Sequence, residues 1–221
     1  MKRKKVTDPV RIAVFVSGGG TNLQALIDAQ KEKKLHSGVI SLVVSSQKGA
    51  YALTRANEND IPAVIVDRKS CAGQKEFEDG ILRALDEYKI ELIVLAGFLS
   101  ILSEDFVKRY PKRIINVHPS LIPAFCGKGF YGLKVHEAAL ERGVKVTGAT
   151  VHFVNEIPDG GEIILQKSVA IHKNDTPESL QRRVMRQAEW MLLPRAAELV
   201  SIDLLAQREP GIPDESNENE E

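Results

Sequence analysis

Arg11-Ile12-Ala13-Val14-Phe15-Val16-Ser17-Gly18-Gly19-Gly20-Thr21-Asn22 decides the architecture. An apolar run that ends in serine and three glycines reads as a buried strand entering a glycine-rich turn. Beyond the turn, Leu23, Leu26 and Ile27 share one helical face, and Thr21 or Asn22 is placed to cap that helix. The same alternation repeats outward. Strand-like runs cover Val39 to Val44, Ala63 to Val66, Leu92 to Ala96 and Arg113 to Val117. Helices are expected around Tyr51 to Asn57 and from Lys75 to Tyr88, where Phe77, Ile81, Leu82, Leu85 and Tyr88 fall at helical spacing. Strands apolar on both faces and alternating with helices give an α/β fold: a Rossmann-like, mainly parallel sheet with helices on both faces.

The C-terminal half changes character. Val146 to Val154 and Glu162 to Val169 are two strands joined by a loop too short for a parallel crossover, so antiparallel strands are added there. Thr176-Pro177-Glu178 opens a long helix, with the threonine capping and the proline early. Pro194 is expected to kink or split it, and Pro210, Gly211 and Pro213 to end the ordered part. Without an internal repeat or a linker, residues 10–207 read as one domain between disordered tails at 1–9 and 208–221.

The bulk properties exclude several classes. Of 221 residues, 43% are hydrophobic and 27% charged, an ordinary globular balance. Thirty basic and thirty acidic residues cancel, leaving no global field to draw in nucleic acid or a membrane. The basic Met1 to Lys5 and the acidic Asp214 to Glu221 read as solvated ends. Asp8, Pro9 and Arg11 interrupt what a secretory signal would need, and no apolar run approaches the ~20 residues of a membrane span. Cys71 and Cys126 make neither a disulfide framework nor a metal site, and His36, His136, His152 and His172 form no zinc signature with His118. A cytoplasmic protein without metal, nucleic-acid or membrane partners is the expectation.

Two places carry chemistry. Backbone N–H groups at a strand–glycine turn–helix junction make an anion site. Here that reads as a phosphate pocket of Gly20, Thr21 and Asn22, or more plainly as a tight turn. It is neither a dinucleotide fingerprint, since Leu23 stands where the third glycine would, nor a Walker loop. The second is Ile114-Ile115-Asn116-Val117-His118-Pro119, which puts an amide and an imidazole on one side of a strand end. Such a pair suits acyl transfer: asparagine donates to a developing oxyanion and histidine handles the proton. A lone histidine there is more often a hydrogen-bonded core residue. Asp159, in a loop followed by Gly160 and Gly161, shifts the balance, because a carboxylate beside an imidazole raises its pKa and orients it. Ser120 lacks a nucleophile elbow, nothing near Cys126 argues for a reactive thiolate, and His152 and Thr150 fit a site role or a structural one equally.

Four blocks in order now resemble the folate-dependent formyltransferase family: Ser17 to Gln24, Ala96 to Leu102, Asn116 to Pro123, and Gly148 to Phe153 leading to Asp159-Gly160-Gly161. The match runs from about Arg11 to Pro194. The resemblance implies transfer of the formyl group of 10-formyltetrahydrofolate, as co-substrate, to the amine of glycinamide ribonucleotide, with no metal. It implies Asn116, His118 and Asp159 as the catalytic trio and Gly20, Thr21 and Asn22 as the phosphate site. Phe98, Leu99, Ser100, Ile101, Leu102 and the loop from Val154 to Asp159 would line the folate pocket. Ser100 stands where members often carry arginine, and Cys126 to Gly132 is longer than the corresponding loop in many members. The family's late Arg-Val-x-x-x-Glu pattern, whose glutamate meets the ribose, reads here as Arg183 to Glu189 with one residue extra, which assigns Glu189 to that place. The chain is expected to act as a monomer or homodimer. A formyltetrahydrofolate deformylase with the same trio, which carries a further domain in front, is one alternative. A tRNA-formylating relative needs another C-terminal domain and a basic surface. A catalytically inactive sugar-phosphate or folate-binding module is the alternative from another class.

Overall fold

Side chains of the first strand divide between two cores. Val10, Ile12, Val14 and Val16 enter one, while Ala13 and Phe15 enter the other, as the two-residue period of a strand requires. Being apolar on both faces, this strand has to lie inside a covered sheet. The computed structural model describes residues 8–208, so the end segments at residues 1–7 and 209–221 lie outside the described residues.

The strands are β1 (Val10–Val16), β2 (Gly38–Ser45), β3 (Ala63–Ile65), β4 (Leu92–Leu95), β5 (Ile114–His118), β6 (Val146–Phe153) and β7 (Ile163–Ala170). They form one seven-stranded sheet in the order β3-β2-β1-β4-β5-β6-β7. The first five are parallel, and β6 and β7 pair antiparallel to their neighbours. The fold is therefore the expected one, strand for strand. One face is covered by α1 (Thr21–Lys31), α6 (Pro177–Val184) and α7 (Trp190–Arg208), with α2 (Tyr51–Asn57) beside them. The other is covered by α3 (Gln74–Glu87), which inserts Phe77, Ile81 and Leu85, and α4 (Glu104–Lys108), which inserts Phe106 and Val107. The strand order reverses between β1 and β4. In open sheets of this kind ligands bind outside the carboxyl ends of the strands at such a reversal.

Periodicity missed three pieces: a 3₁₀ turn at Arg68–Ser70, α4, and α5 (Leu133–Arg142). The first two span less than two turns, and α4 is announced only by its cap, the Ser103 hydroxyl accepting from the Phe106 N–H. Thr176 caps α6 as expected, in a reciprocal box with Ser179. Pro194 neither splits nor ends its helix; α7 continues through it to Arg208, one residue past the expected boundary. The irregularity lies upstream, where Met185–Glu189 form a π turn. Pro194 stands in the second turn of the new register, where the widened turn before it accommodates the ring that would crowd an unbroken helix.

α7 is also tied to the α1–β2 connection. The buried Glu198 carboxylate accepts the N–H groups of His36 (2.9 Å) and Ser37 (3.0 Å) and the Ser37 hydroxyl (2.7 Å). Hydrogen bonds to a charged group are worth roughly 1.5–3 kcal/mol each, not additively. Glu198→Ala is therefore expected to destabilise the protein by about 2–4 kcal/mol, seen as a lower urea midpoint at unchanged slope. An unchanged midpoint would mean that other contacts hold this loop.

Candidate active site

Alternation along β5 sends Ile115 and Val117 into the α1/α7 core. Asn116 and His118 therefore face the opposite side, at the strand's open end. On β6, Ala149 and Val151 enter the same core, so Thr150 and His152 are turned with Asn116 and His118. Register completes the placement: Asn116 lies opposite His152, and His118 opposite Thr150. The Asn116 amide is 3.2 Å from His152 Nε2. Asp159 reaches in from the β6–β7 loop, with Oδ1 3.5 Å from both the Asn116 amide nitrogen and His152 Nε2, and Oδ2 3.4 Å from His118 Nδ1. The structure thus brings together the three residues the sequence singled out, and adds His152.

Both ring nitrogens of His118 are engaged. Nε2 is 2.8 Å from the Phe125 carbonyl, which can only accept, so the Nε2 proton is fixed there and Nδ1 faces Asp159. His152 Nδ1 is 2.8 Å from the Phe153 carbonyl, and its Nε2 lies between the Asn116 amide nitrogen (3.2 Å) and Asp159 Oδ1 (3.5 Å). Phe125 and Asp159, which flank His118, both adopt left-handed backbone conformations, with φ of 50° and 56°. That region costs a non-glycine residue on the order of 1–2 kcal/mol, so other contacts hold them. The Gly127 N–H donates to Asp159 Oδ2 at 2.8 Å. Gly161 passes so close to β6 that an added Cβ would stand 1.7 Å from the Phe153 carbonyl oxygen, which sets the path of the Asp159 loop. The long Cys126 to Gly132 loop therefore builds the site itself.

Electrostatics separate the pair. Burial pushes the His118 pKa down, and although the Asp159 charge and the Phe125 carbonyl pull it up, the net is below the ordinary imidazole value. For Asp159, burial pushes up, but His152, the Gly127 N–H and the neighbouring imidazoles outweigh it and hold the carboxyl below its usual range. The cluster rests as a neutral imidazole beside a carboxylate. His136 on α5 is buried with no partner for either nitrogen among the described residues, and burial, then His118, push its pKa down to about 4. Ser120 is no nucleophile: its buried hydroxyl donates to the Ala124 carbonyl. Burial raises the Cys126 thiol. Among the described residues no group of His, Cys, Asp or Glu is arranged to hold a metal ion.

Two strands away in the sheet, the glycine turn closes β1 at the same edge; at ~4.8 Å per strand the two places are about 10 Å apart. Neither Thr21 nor Asn22 caps α1, contrary to expectation: left-handed Gly20 (φ 70°) precedes the helix and no side chain fills its end. Asn22 is instead buried, with its amide nitrogen donating to Glu189 Oε2 at 2.7 Å and its Oδ1 without a partner among the described residues. The first N–H groups of α1 are left free to meet an anion. Glu189 reaches this place despite the extra residue, because a π turn takes one more residue than an α turn. Burial raises the Glu189 pKa to about 7 against the Asn22 hydrogen bond that lowers it.

The segment expected to bind folate divides. Phe98 packs edge-on against Phe15 (5.1 Å) and stacks over Phe77 (6.3 Å), and Leu102 and Val154 also pack against that core. These three are half-buried, each with part of its surface against that core. Leu99 and Ile101, 62% and 72% exposed, stand in solvent at the mouth with half-buried Ser100 between them, and Ile157 is 59% exposed on the Asp159 loop. The Leu99 N–H donates to the Ser17 hydroxyl (2.9 Å), tying this segment to the glycine turn. A cavity of about 720 Å³ between α1 and α7 touches Thr21 but none of Asn116, His118 or Asp159.

Glu189 also sets a pH dependence of stability. Its folded pKa lies above the ordinary 4.5, so its contribution is full below 4.5 and is lost as pH rises through about 7. Glu189→Gln keeps the partner of Asn22 but cannot ionise. The melting temperature of the variant relative to the parent is expected to rise between pH 5 and pH 8, and a constant difference would contradict the buried carboxyl.

Residues 10–196 match the formyl transferase family model. The chain is 40% identical over 188 residues to phosphoribosylglycinamide formyltransferase of Haemophilus influenzae, covering 83% of this chain and 84% of that one. It is 43% identical over 195 residues, 88% of its length, to the trifunctional purine biosynthetic protein adenosine-3 of Gallus gallus, of which it spans only 19%. The crystal structure of glycinamide ribonucleotide transformylase 1 from Symbiobacterium toebii superimposes with a TM-score of 0.82 at 37% identity, covering 88% of this chain and 89% of that one. With its strand order, its Asn116–His118–Asp159 cluster and these matches, the chain belongs to the formyl transferase family.

Proposed function

We propose that this chain is a phosphoribosylglycinamide formyltransferase, which moves the formyl group of 10-formyltetrahydrofolate to the amine of glycinamide ribonucleotide in purine synthesis. The observation that carries this reading is the placing of both parts at one edge of the sheet: the Asn116, His118 and Asp159 cluster at the end of β5, and an uncapped glycine turn two strands away at the end of β1. Gly20, Thr21 and Asn22 hold the phosphate through free N–H groups and the threonine hydroxyl. Glu189, beside Asn22, meets the ribose. The exposed Leu99 and Ile101, with Ser100 and the backbone of Phe98, Leu102 and Val154, receive the folate. Large apolar side chains at a site mouth suit a planar ring ligand.

The reaction makes one bond and breaks one. The amine nitrogen attacks the formyl carbon, and the carbonyl oxygen takes up charge. The Asn116 amide donates to that oxyanion. His118 Nδ1, bare in the neutral ring, takes the proton from the amine, and Asp159 stabilises the imidazolium that results. The imidazolium returns its proton to N10 of the folate as the carbon–nitrogen bond breaks, giving tetrahydrofolate and the formylated amide. One chain supplies every residue, so the reading holds for a monomer or a homodimer. The continuous sheet supports residues 10–207 as one formyltransferase domain; its place of work is read as the cytoplasm.

Loss of 10-formyltetrahydrofolate is expected only when glycinamide ribonucleotide is present. Loss without it would instead point to a deformylase, and no loss under either condition to an inactive binding module. His118→Asn is expected to lower kcat by at least about 10²-fold and to change the ribonucleotide KM by only a few-fold, since the side chain acts in the transition state. The base has to be neutral, and burial holds its pKa below 6.5, so the acid limb of kcat/KM should fall below pH 6.5. A limb above 6.5 would exclude His118 in this setting.

A further inference from the structure

The carbonyl groups of the glycine turn are tied, one after another. The Ala52 N–H donates to the Gly18 carbonyl (3.1 Å), Arg55 Nε to the Gly19 carbonyl (2.9 Å), and the Gln24 N–H to the Gly20 carbonyl (2.9 Å). In a trans peptide the N–H points opposite to the carbonyl before it. Turning the Gly18 and Gly19 carbonyls toward α2 therefore turns the Gly19 and Gly20 N–H groups away from it. The Gly20 carbonyl, drawn into the helix, leaves the Thr21 N–H pointing out of its end. Three successive donors face outward because three carbonyls are held behind them, which is the arrangement of an anion-binding nest.

Arg55 supplies the hold that backbone cannot. Its Nη1 donates to Gln24 Oε1 at 2.9 Å, and its guanidinium lies 5.1 Å from the Tyr51 ring centroid. A planar group with donors in fixed directions can bridge the turn and the first helical turn while stacked on an aromatic face. The approach is also close. An added Cβ on Gly20 would stand 2.6 Å from Ala52 Cβ, so α2 is packed directly against the turn. Half-buried Arg55 further places a positive charge on the wall that Thr21 and Gln24 share.

We propose that Arg55 is the positioning residue of the phosphate cradle, holding the Gly19–Gly20 peptide so that the Gly20 N–H points at the phosphate, with Tyr51 and Gln24 fixing its guanidinium. This rests on Gly20 to Asn22 being that cradle. Arg55 does not itself touch the reacting atoms.

Kinetics of Arg55→Met and Arg55→Lys, alongside calorimetric titration with ribose 5-phosphate, test it. Arg55→Met should raise the ribonucleotide KM and the ribose 5-phosphate Kd by about 10-fold or more. The kcat and the formyl-folate KM should stay within about 2-fold, an order-of-magnitude bound on indirect effects. Arg55→Lys keeps the charge but cannot bridge Gly19 and Gln24 in one plane, so it should recover less than half of the loss on a logarithmic scale. Unchanged ribose 5-phosphate affinity in Arg55→Met would overturn the proposal, as would equal losses for both substrates and kcat, the mark of general distortion. Complete recovery by lysine would also overturn the peptide-holding role. A parent protein that binds ribose 5-phosphate without ribonucleotide-dependent turnover would sink the proposed function but leave this inference to the titration. A parent that binds none would remove both.

Discussion

Everything at the centre of this site depends on how one imidazole is held. His118 is buried at the end of β5, where its Nε2 proton meets the Phe125 carbonyl and its Nδ1 faces the Asp159 carboxylate. A carbonyl can only accept, so the tautomer is decided by the loop and not by the Asp159 carboxylate. That leaves the nitrogen beside Asp159 as the one that can exchange a proton. Burial keeps the ring neutral at rest, and the ionised Asp159 is ready to offset the charge once a proton arrives. Two left-handed residues, Phe125 and Asp159, are the local conformational cost of this arrangement.

The sheet makes such an arrangement possible at low tolerance. Strand alternation points Asn116, His118, Thr150 and His152 to one side without any loop having to place them. The reversal of strand order between β1 and β4 puts the glycine turn at the same edge. The Ser17 hydroxyl, held by Ser46 and accepting from Leu99, then links the turn to the exposed Leu99–Ile101 segment. Fixed strand spacing sets the distance between the glycine turn and the His118 cluster, and hydrogen bonds set their orientation.

The strands were legible in the sequence because each is a short apolar run punctuated by turn residues, and the structure places all seven within a residue or two of expectation. Asn116 and His118 were legible from the two-residue period, and Asp159 from its two following glycines. What was not legible is what comes from tertiary contact. The Phe125 carbonyl and the Gly127 N–H carry no side-chain signature, and a long glycine-containing loop looks like a rim until it closes on the site. Arg55 carries no sequence signal that sets it apart; its role comes from contacts with Gly19 and Gln24. Asn22 was expected to cap α1 but is drawn away to Glu189, a partner 167 positions along the chain. The surplus residue before Glu189 reads as a break in pattern, and only the π turn shows how the helix absorbs it.

The central claim is the protonation pattern of His118, and nitrogen NMR of the ¹⁵N-histidine-labelled protein reads it directly. At neutral pH, before substrates are added, His118 is predicted to show a protonated, pyrrole-type Nε2 and a bare, pyridine-type Nδ1. The opposite tautomer, or an imidazolium at that pH, would contradict the account.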